Sequence, residues 1–111
     1  MAIKIIVSDT VGFKVKGTIN DAAGIAQPFD FTLTCTRLDA DQIQSRLNVG
    51  SEVSIADFMV DVVSGWSGVR DGDDKNLPYS EDALRQLFKI PGIGGLALRT
   101  YISECGAKEK N

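Results

Sequence analysis

Histidine is absent from the 111 residues of this chain. That absence removes serine–histidine–aspartate and cysteine–histidine catalysis, the helix-borne zinc motif and any histidine-based pH switch. Cysteine is scarce: Cys35 and Cys105 lie far apart, each within an apolar-periodic segment. They read as buried free thiols in a reducing cytosol, because neither a secretion signal nor a second pair supports a disulfide. Long apolar runs are missing too. Lys4, Lys14 and Asp61 interrupt the longest stretches, so no membrane span is expected. The opening MAIKIIVSD is too short and too soon acidic for a secretory signal, which makes the cytoplasm the expected location. A broad basic face is also lacking: the net charge is −3, with a balance of −5 from Asp57 to Asp82 and +2 from Lys89 to Asn111. Binding along a phosphate backbone needs clustered cations, so this layout argues against nucleic acid as a partner.

What is present suits one domain. A hydrophobic fraction of 43% is enough for a core without metal or disulfide staples. The N-terminal third alternates with period two: Val11, Phe13, Val15, Gly17 and Ile19 on one face, Gly12, Lys14, Lys16 and Thr18 on the other. After the turn-rich Asn20–Gly24 the alternation resumes with Phe29, Phe31, Leu33 and Cys35 against Asp30, Thr32, Thr34 and Thr36. Two half-buried strands joined by a loop predict an antiparallel hairpin. Ile3–Val7 is a candidate third strand, and Pro28 falls near a strand start, where it is tolerated.

From Asp39 the period becomes helical. Asp39 with Gln42 predicts a capping box, Ile43 and Leu47 a short stripe, and Asn48, Gly50 and Ser51 a stop. Ser54 with Asp57 opens a second helix, with Ile55, Phe58, Met59, Val62 and Val63 on one face and Gly65 ending it. Ser80 caps a third, with Glu81 and Asp82 in the first turn and Ala83, Leu84, Leu87 and Phe88 facing its core. Pro91 suits the first turn of a fourth, carrying Ile93, Leu96, Ala97, Tyr101 and Ile102. The expected architecture is α+β: an antiparallel hairpin of two to three strands over residues 1–38, about four short helices over 39–105, and a polar tail over 106–111.

Three patterns invite chemistry. In Asp71-Gly72-Asp73-Asp74-Lys75-Asn76, Asp71, Asp73 and Asp82 match positions one, three and twelve of a calcium loop. Lys75 puts a cation at the fifth position and Asn76 replaces the turn glycine, so a solvated turn is the better reading. Ile90-Pro91-Gly92-Ile93-Gly94 resembles the turn of helix-hairpin-helix DNA-binding modules, whose glycine amides hold a phosphate. Lys89 and Arg99 are its only nearby cations, and Leu98 sits where that motif has a small residue; a tight turn between helices accounts for the glycines. Asp57 and Asp61 stand four apart on one helix face, but no nucleophile or positioned base accompanies them. No catalytic residues, metal ligands or cofactor-binding motif are expected, and the chain is read as non-enzymatic.

The stretch from Gly65 to Phe88 is the most distinctive. It sets the only tryptophan, Trp66, beside a glycine turn, then the acidic loop, then Leu77-Pro78-Tyr79 leading into the helix capped by Ser80. Those residues predict a helix–loop–helix corner, with Trp66 as its anchor and Leu77, Pro78 and Tyr79 as a hydrophobic staple or a partner ledge. The segment FMVDVVSGWSGVRDGDDKNLPYSEDALRQLFKIPGI resembles the C-terminal half of tailed-phage tail assembly chaperones. The resemblance rests on Trp66, Gly68, Val69, Asp71, Leu77, Pro78, Tyr79, Ser80, Leu84 and Leu87, and FTLTCTRLDADQIQ is similar to the strand-to-helix junction that precedes them. It implies a protein of the bacterial host cytoplasm, absent from the mature virion, that binds the tape measure protein and brings tail tube subunits onto it. It also implies a second, longer product made by frameshifting, for which an A-rich stretch encoding Glu109-Lys110-Asn111 is the candidate slip site. Self-association through the hairpin edge is expected because a lone hairpin is marginal. The competing readings are a small DNA-binding module using the Gly92–Gly94 turn and a phage structural or head–tail joining protein.

Overall fold

The computed structural model describes residues 2–5, 7–47 and 54–107. Strands β1 (Thr10–Asn20) and β2 (Ala26–Thr36) form the expected antiparallel hairpin, with Val15 opposite Phe31 and Phe13 opposite Leu33. Cross-strand partners share a face, so the alternating apolar sets of both strands converge. Val11, Phe13, Val15, Phe31, Leu33 and Cys35 are buried there. The far end of the same face is not, since Ile19 stays 46% exposed. Asp21 orders the hairpin turn by accepting from the backbone N–H groups of Ala23 and Ile25 and from the Gln27 side chain.

Four helices follow: α1 (Ala40–Arg46), α2 (Ile55–Val62), α3 (Glu81–Leu87) and α4 (Ile93–Cys105). The α+β architecture is therefore as expected, and so are three helix starts. Asp39 and Gln42 form a reciprocal capping box, while Ser54 and Ser80 accept from the backbone N–H of Asp57 and Ala83. Helix α4 packs along β1 with Ile93, Ala97 and Tyr101 buried, and α2 packs against α3 and α4. Phe58, Met59, Val62 and Leu84 complete one contiguous core. Each such side chain, fully removed from water, contributes about 1.5–3 kcal/mol.

The third strand is not where the alternation placed it. Ile3, Ile5 and Val7 are exposed, and none of the described residues before Thr10 belongs to a strand. The Arg37 N–H donates to the Asp9 carbonyl, extending the β1–β2 ladder, so the chain before Asp9 runs past the end of β2. The strand that does complete the sheet is β3 (Val63–Ser67), antiparallel to β2 in the order β1-β2-β3. Helix α2 accordingly ends at Val62; Val63 and Gly65 belong to the strand, and Ile55 is 41% exposed rather than in the core. Helix α4 begins at Ile93 instead of Pro91, because Gly92 takes a left-handed conformation (φ 89°) that the helix cannot include. Ile102 stays 39% exposed at its far end. The expected stop at Asn48, Gly50 and Ser51 and the tail from Lys108 onward lie outside the described residues.

Candidate functional site

The Gly65–Phe88 corner is built on a strand, not on a helix-to-helix turn. Thr34 faces Gly65 and Cys35 faces Val63, which leaves Ser64 as an extra residue in the ladder. Its hydroxyl donates to the Thr34 carbonyl at 3.1 Å. That bulge puts Val63 and Trp66, three residues apart, on the same inner face, where strict alternation would oppose them. Trp66 faces the fully buried Leu33 and is itself half-buried.

Gly68 then turns the chain with φ 83°, and a Cβ there would lie 3.4 Å from the Cα of Phe31. The Cβ would make only an ordinary contact, so it is the left-handed backbone that favours glycine. Residues 69–77 form a small hairpin of their own. Leu77 N–H donates to the Val69 carbonyl, Arg70 bridges Asn76, and Asp71 N–H donates to the Lys75 carbonyl. Inside it the Asp71 carboxylate accepts from the N–H groups of Asp73 and Lys75 at 2.9 and 3.0 Å. The acidic loop is thus a turn organised by its first aspartate. Among the described residues, no group of three or more cysteine and acidic side chains converges to hold a metal ion.

This hairpin returns Leu77 to Trp66. The indole N–H donates to the Leu77 carbonyl at 2.8 Å, and the Tyr79 hydroxyl donates to the Val63 carbonyl at 3.1 Å. The two rings meet edge to face, with centroids 5.2 Å apart. Burial pushes the Tyr79 phenol above its usual value, helped by nearby Cys35 and Glu81, so it stays protonated near neutrality. Trp66, Gly68, Val69, Leu77, Pro78 and Tyr79 line one cleft of about 290 Å³, and Ser80 follows as the cap of α3. The sequence-singled residues therefore come together, with Pro78 exposed at the rim. Both aromatic polar tips already have partners, and Ser67 and Asn76 add polar groups to the cleft's ring surface and apolar edges.

The acidic pair Asp57 and Asp61 is divided. Asp57 binds Arg85 at 2.9 Å, tying α2 to α3, and Asp61 meets Arg46 at 3.5 Å. Arg85 beside it, with the Ser54 hydroxyl, holds the Asp57 carboxyl below its ordinary value. A larger cleft of about 590 Å³ lies between the β2–α1 connection and the end of α4, and sequence reasoning missed it. Arg37 lines it, donating through Nη1 to the Cys105 carbonyl at 2.8 Å. A contact spanning 68 residues leaves no mark in local periodicity.

Among the described residues no helix is long and apolar enough to cross a membrane. Comparisons with known protein families, with curated proteins and with solved structures found no match.

Proposed function

We propose that this chain is a tail assembly chaperone of a long-tailed phage. It acts without catalysis, binding the tape measure protein in the host cytoplasm and helping to bring tail tube subunits onto it. The observation that supports this reading is the mutual packing of Trp66, Gly68, Leu77 and Tyr79 into one corner. These four are among the residues on which the sequence resemblance rests, and their order along the chain now has a physical reason. A second support is the exposure of apolar side chains at both ends of the hairpin, Ile3, Ile5 and Val7 before β1 and Ile19 and Ile25 at the turn, where other polypeptides could be contacted. Self-association belongs to the same proposal, since β1 is a sheet edge of 11 residues with no neighbour on its outer side among the described residues.

Co-expression tests it. A tape measure protein from a long-tailed phage, insoluble alone, is expected in the soluble fraction and co-purifying when this chain is present. An insoluble tape measure protein, together with steeply salt-dependent binding of this chain to duplex DNA, would favour the DNA-binding alternative instead.

A further inference from the structure

Strand β1 carries a row of backbone groups that its own sheet does not use. The Arg37 N–H donates to the Asp9 carbonyl, so Asp9 and Arg37 form a hydrogen-bonded pair of the ladder. The unbroken register from Thr10–Thr36 to Asn20–Ala26 carries that alternation along the hairpin. Odd-numbered residues of β1 therefore turn N–H and C=O toward β2. Gly12, Lys14, Lys16, Thr18 and Asn20 turn theirs outward, where no strand lies among the described residues. The opposite edge of the sheet is closed: β3 has five residues, is bulged at Ser64, and its Val63 carbonyl accepts from the Tyr79 hydroxyl. Short, bulged and covered edges resist added strands, whereas β1 has 11 residues, no bulge and no proline. With only one edge open, head-to-tail addition is blocked. The same edge of a second copy satisfies it and closes the assembly at two.

Symmetry limits the register. Antiparallel pairing about a two-fold axis sets opposite each other residues equally far from that axis. An axis at Lys14, Val15 or Lys16 puts lysine opposite lysine, which is destabilising. An axis at Phe13 separates the lysines but needs the Thr10 carbonyl, which already accepts from the Ser8 hydroxyl at 2.7 Å. It also leaves Ile19 past the end of the partner strand. An axis at Gly17 sets Lys16 opposite Thr18, Lys14 opposite Asn20 and Val15 opposite Ile19. Ile19 is the core-face side chain left 46% exposed in the single chain, so this register alone covers it. We propose that two copies join β1 to β1 about Gly17, doubling the three-stranded sheet into one continuous sheet. The inference rests on the self-association already proposed and is independent of the client.

The test is amide hydrogen exchange on the full chain at low and high concentration, with sedimentation to read the mass. The mass should double as concentration rises. In the doubled species the amides of Lys14, Lys16, Thr18 and Asn20 should exchange at least roughly tenfold more slowly, and those of Thr10 and Gly12 should not change. Lys16→Glu, on the exposed face, lets the glutamate meet the partner's Lys14 when the axis lies at Val15. It should move the axis there and bring the Gly12 amide under protection. Thr18→Pro removes an N–H that points away from β2, so it should abolish doubling while the Val15 and Phe31 amides stay protected. A single-chain mass at every concentration would overturn the proposal. So would doubling of the unmutated chain that protects Gly12, or that protects only the Trp66 corner. Doubling with the expected protection but no effect on a tape measure protein would support this pairing and contradict the chaperone reading. A single chain that still solubilises the tape measure protein would do the reverse.

Discussion

Trp66 shows how much one side chain can decide. Its ring faces Leu33 while its N–H reaches across ten intervening residues to the Leu77 carbonyl. Trp66→Phe keeps most of the apolar contact and removes that bond, so it should cost about 1 kcal/mol in urea denaturation. Gly68→Ala should cost about 1–2 kcal/mol, because alanine must occupy the left-handed backbone that φ 83° demands. Tyr101 and Cys35 carry the alkaline limit of stability. Burial raises the Cys35 thiol to about 12, and burial followed by Cys105 raises the Tyr101 phenol well above its usual value. Both groups hold their protons more tightly folded than unfolded. Their stabilising effect is complete below the unfolded values of about 8.5 and 10, and is lost as pH rises toward the folded ones. The urea midpoint should therefore fall steadily above about pH 8.5. Tyr101→Phe should make that fall shallower, while losing about 1 kcal/mol at neutral pH with the 2.7 Å bond to the Thr36 carbonyl. A flat midpoint across the alkaline range would rule this out.

Elements differ in how much of them local sequence specifies. Ser80→Ala should destabilise the chain by about 1 kcal/mol, because its hydroxyl satisfies the Ala83 N–H at the start of α3. Caps of this kind are legible in sequence, since donor and acceptor sit three residues apart; Asp39, Ser54 and Ser80 all follow that rule. The hairpin was legible for the same reason, period two being a local property of Val11–Val15 and Phe31–Cys35. Strand β3 was not. The extra residue Ser64 breaks its alternation, and Val63 continues the helical stripe of Phe58, Met59 and Val62, so the sequence reads on as helix. Ile3–Val7 alternates well enough for a strand, but Ile3, Ile5 and Val7 stay exposed and bury nothing in the core, so the alternation there marks no sheet face. The corner residues were found from their order, although they close on a strand and a small hairpin.

At the scale of the whole molecule, core and surface divide the work. One cluster joins the sheet to α2, α3 and α4, and Leu84, fully buried, sits within it. Leu84→Ala should cost about 2–5 kcal/mol by thermal or urea denaturation, against a total stability of about 5–15 kcal/mol. Outside that core the chain projects apolar side chains at its N-terminal segment, its hairpin end and the α3–α4 turn. We read this arrangement as a folded platform for other polypeptides, and the proposed client is the tape measure protein. The most direct test is light scattering during dilution of a denatured tape measure protein into buffer containing the purified chain. The chaperone proposal predicts that scattering is suppressed at near-stoichiometric ratios, with a soluble complex on size exclusion. Scattering unchanged from that with an unrelated protein of similar size, and no complex, would contradict it.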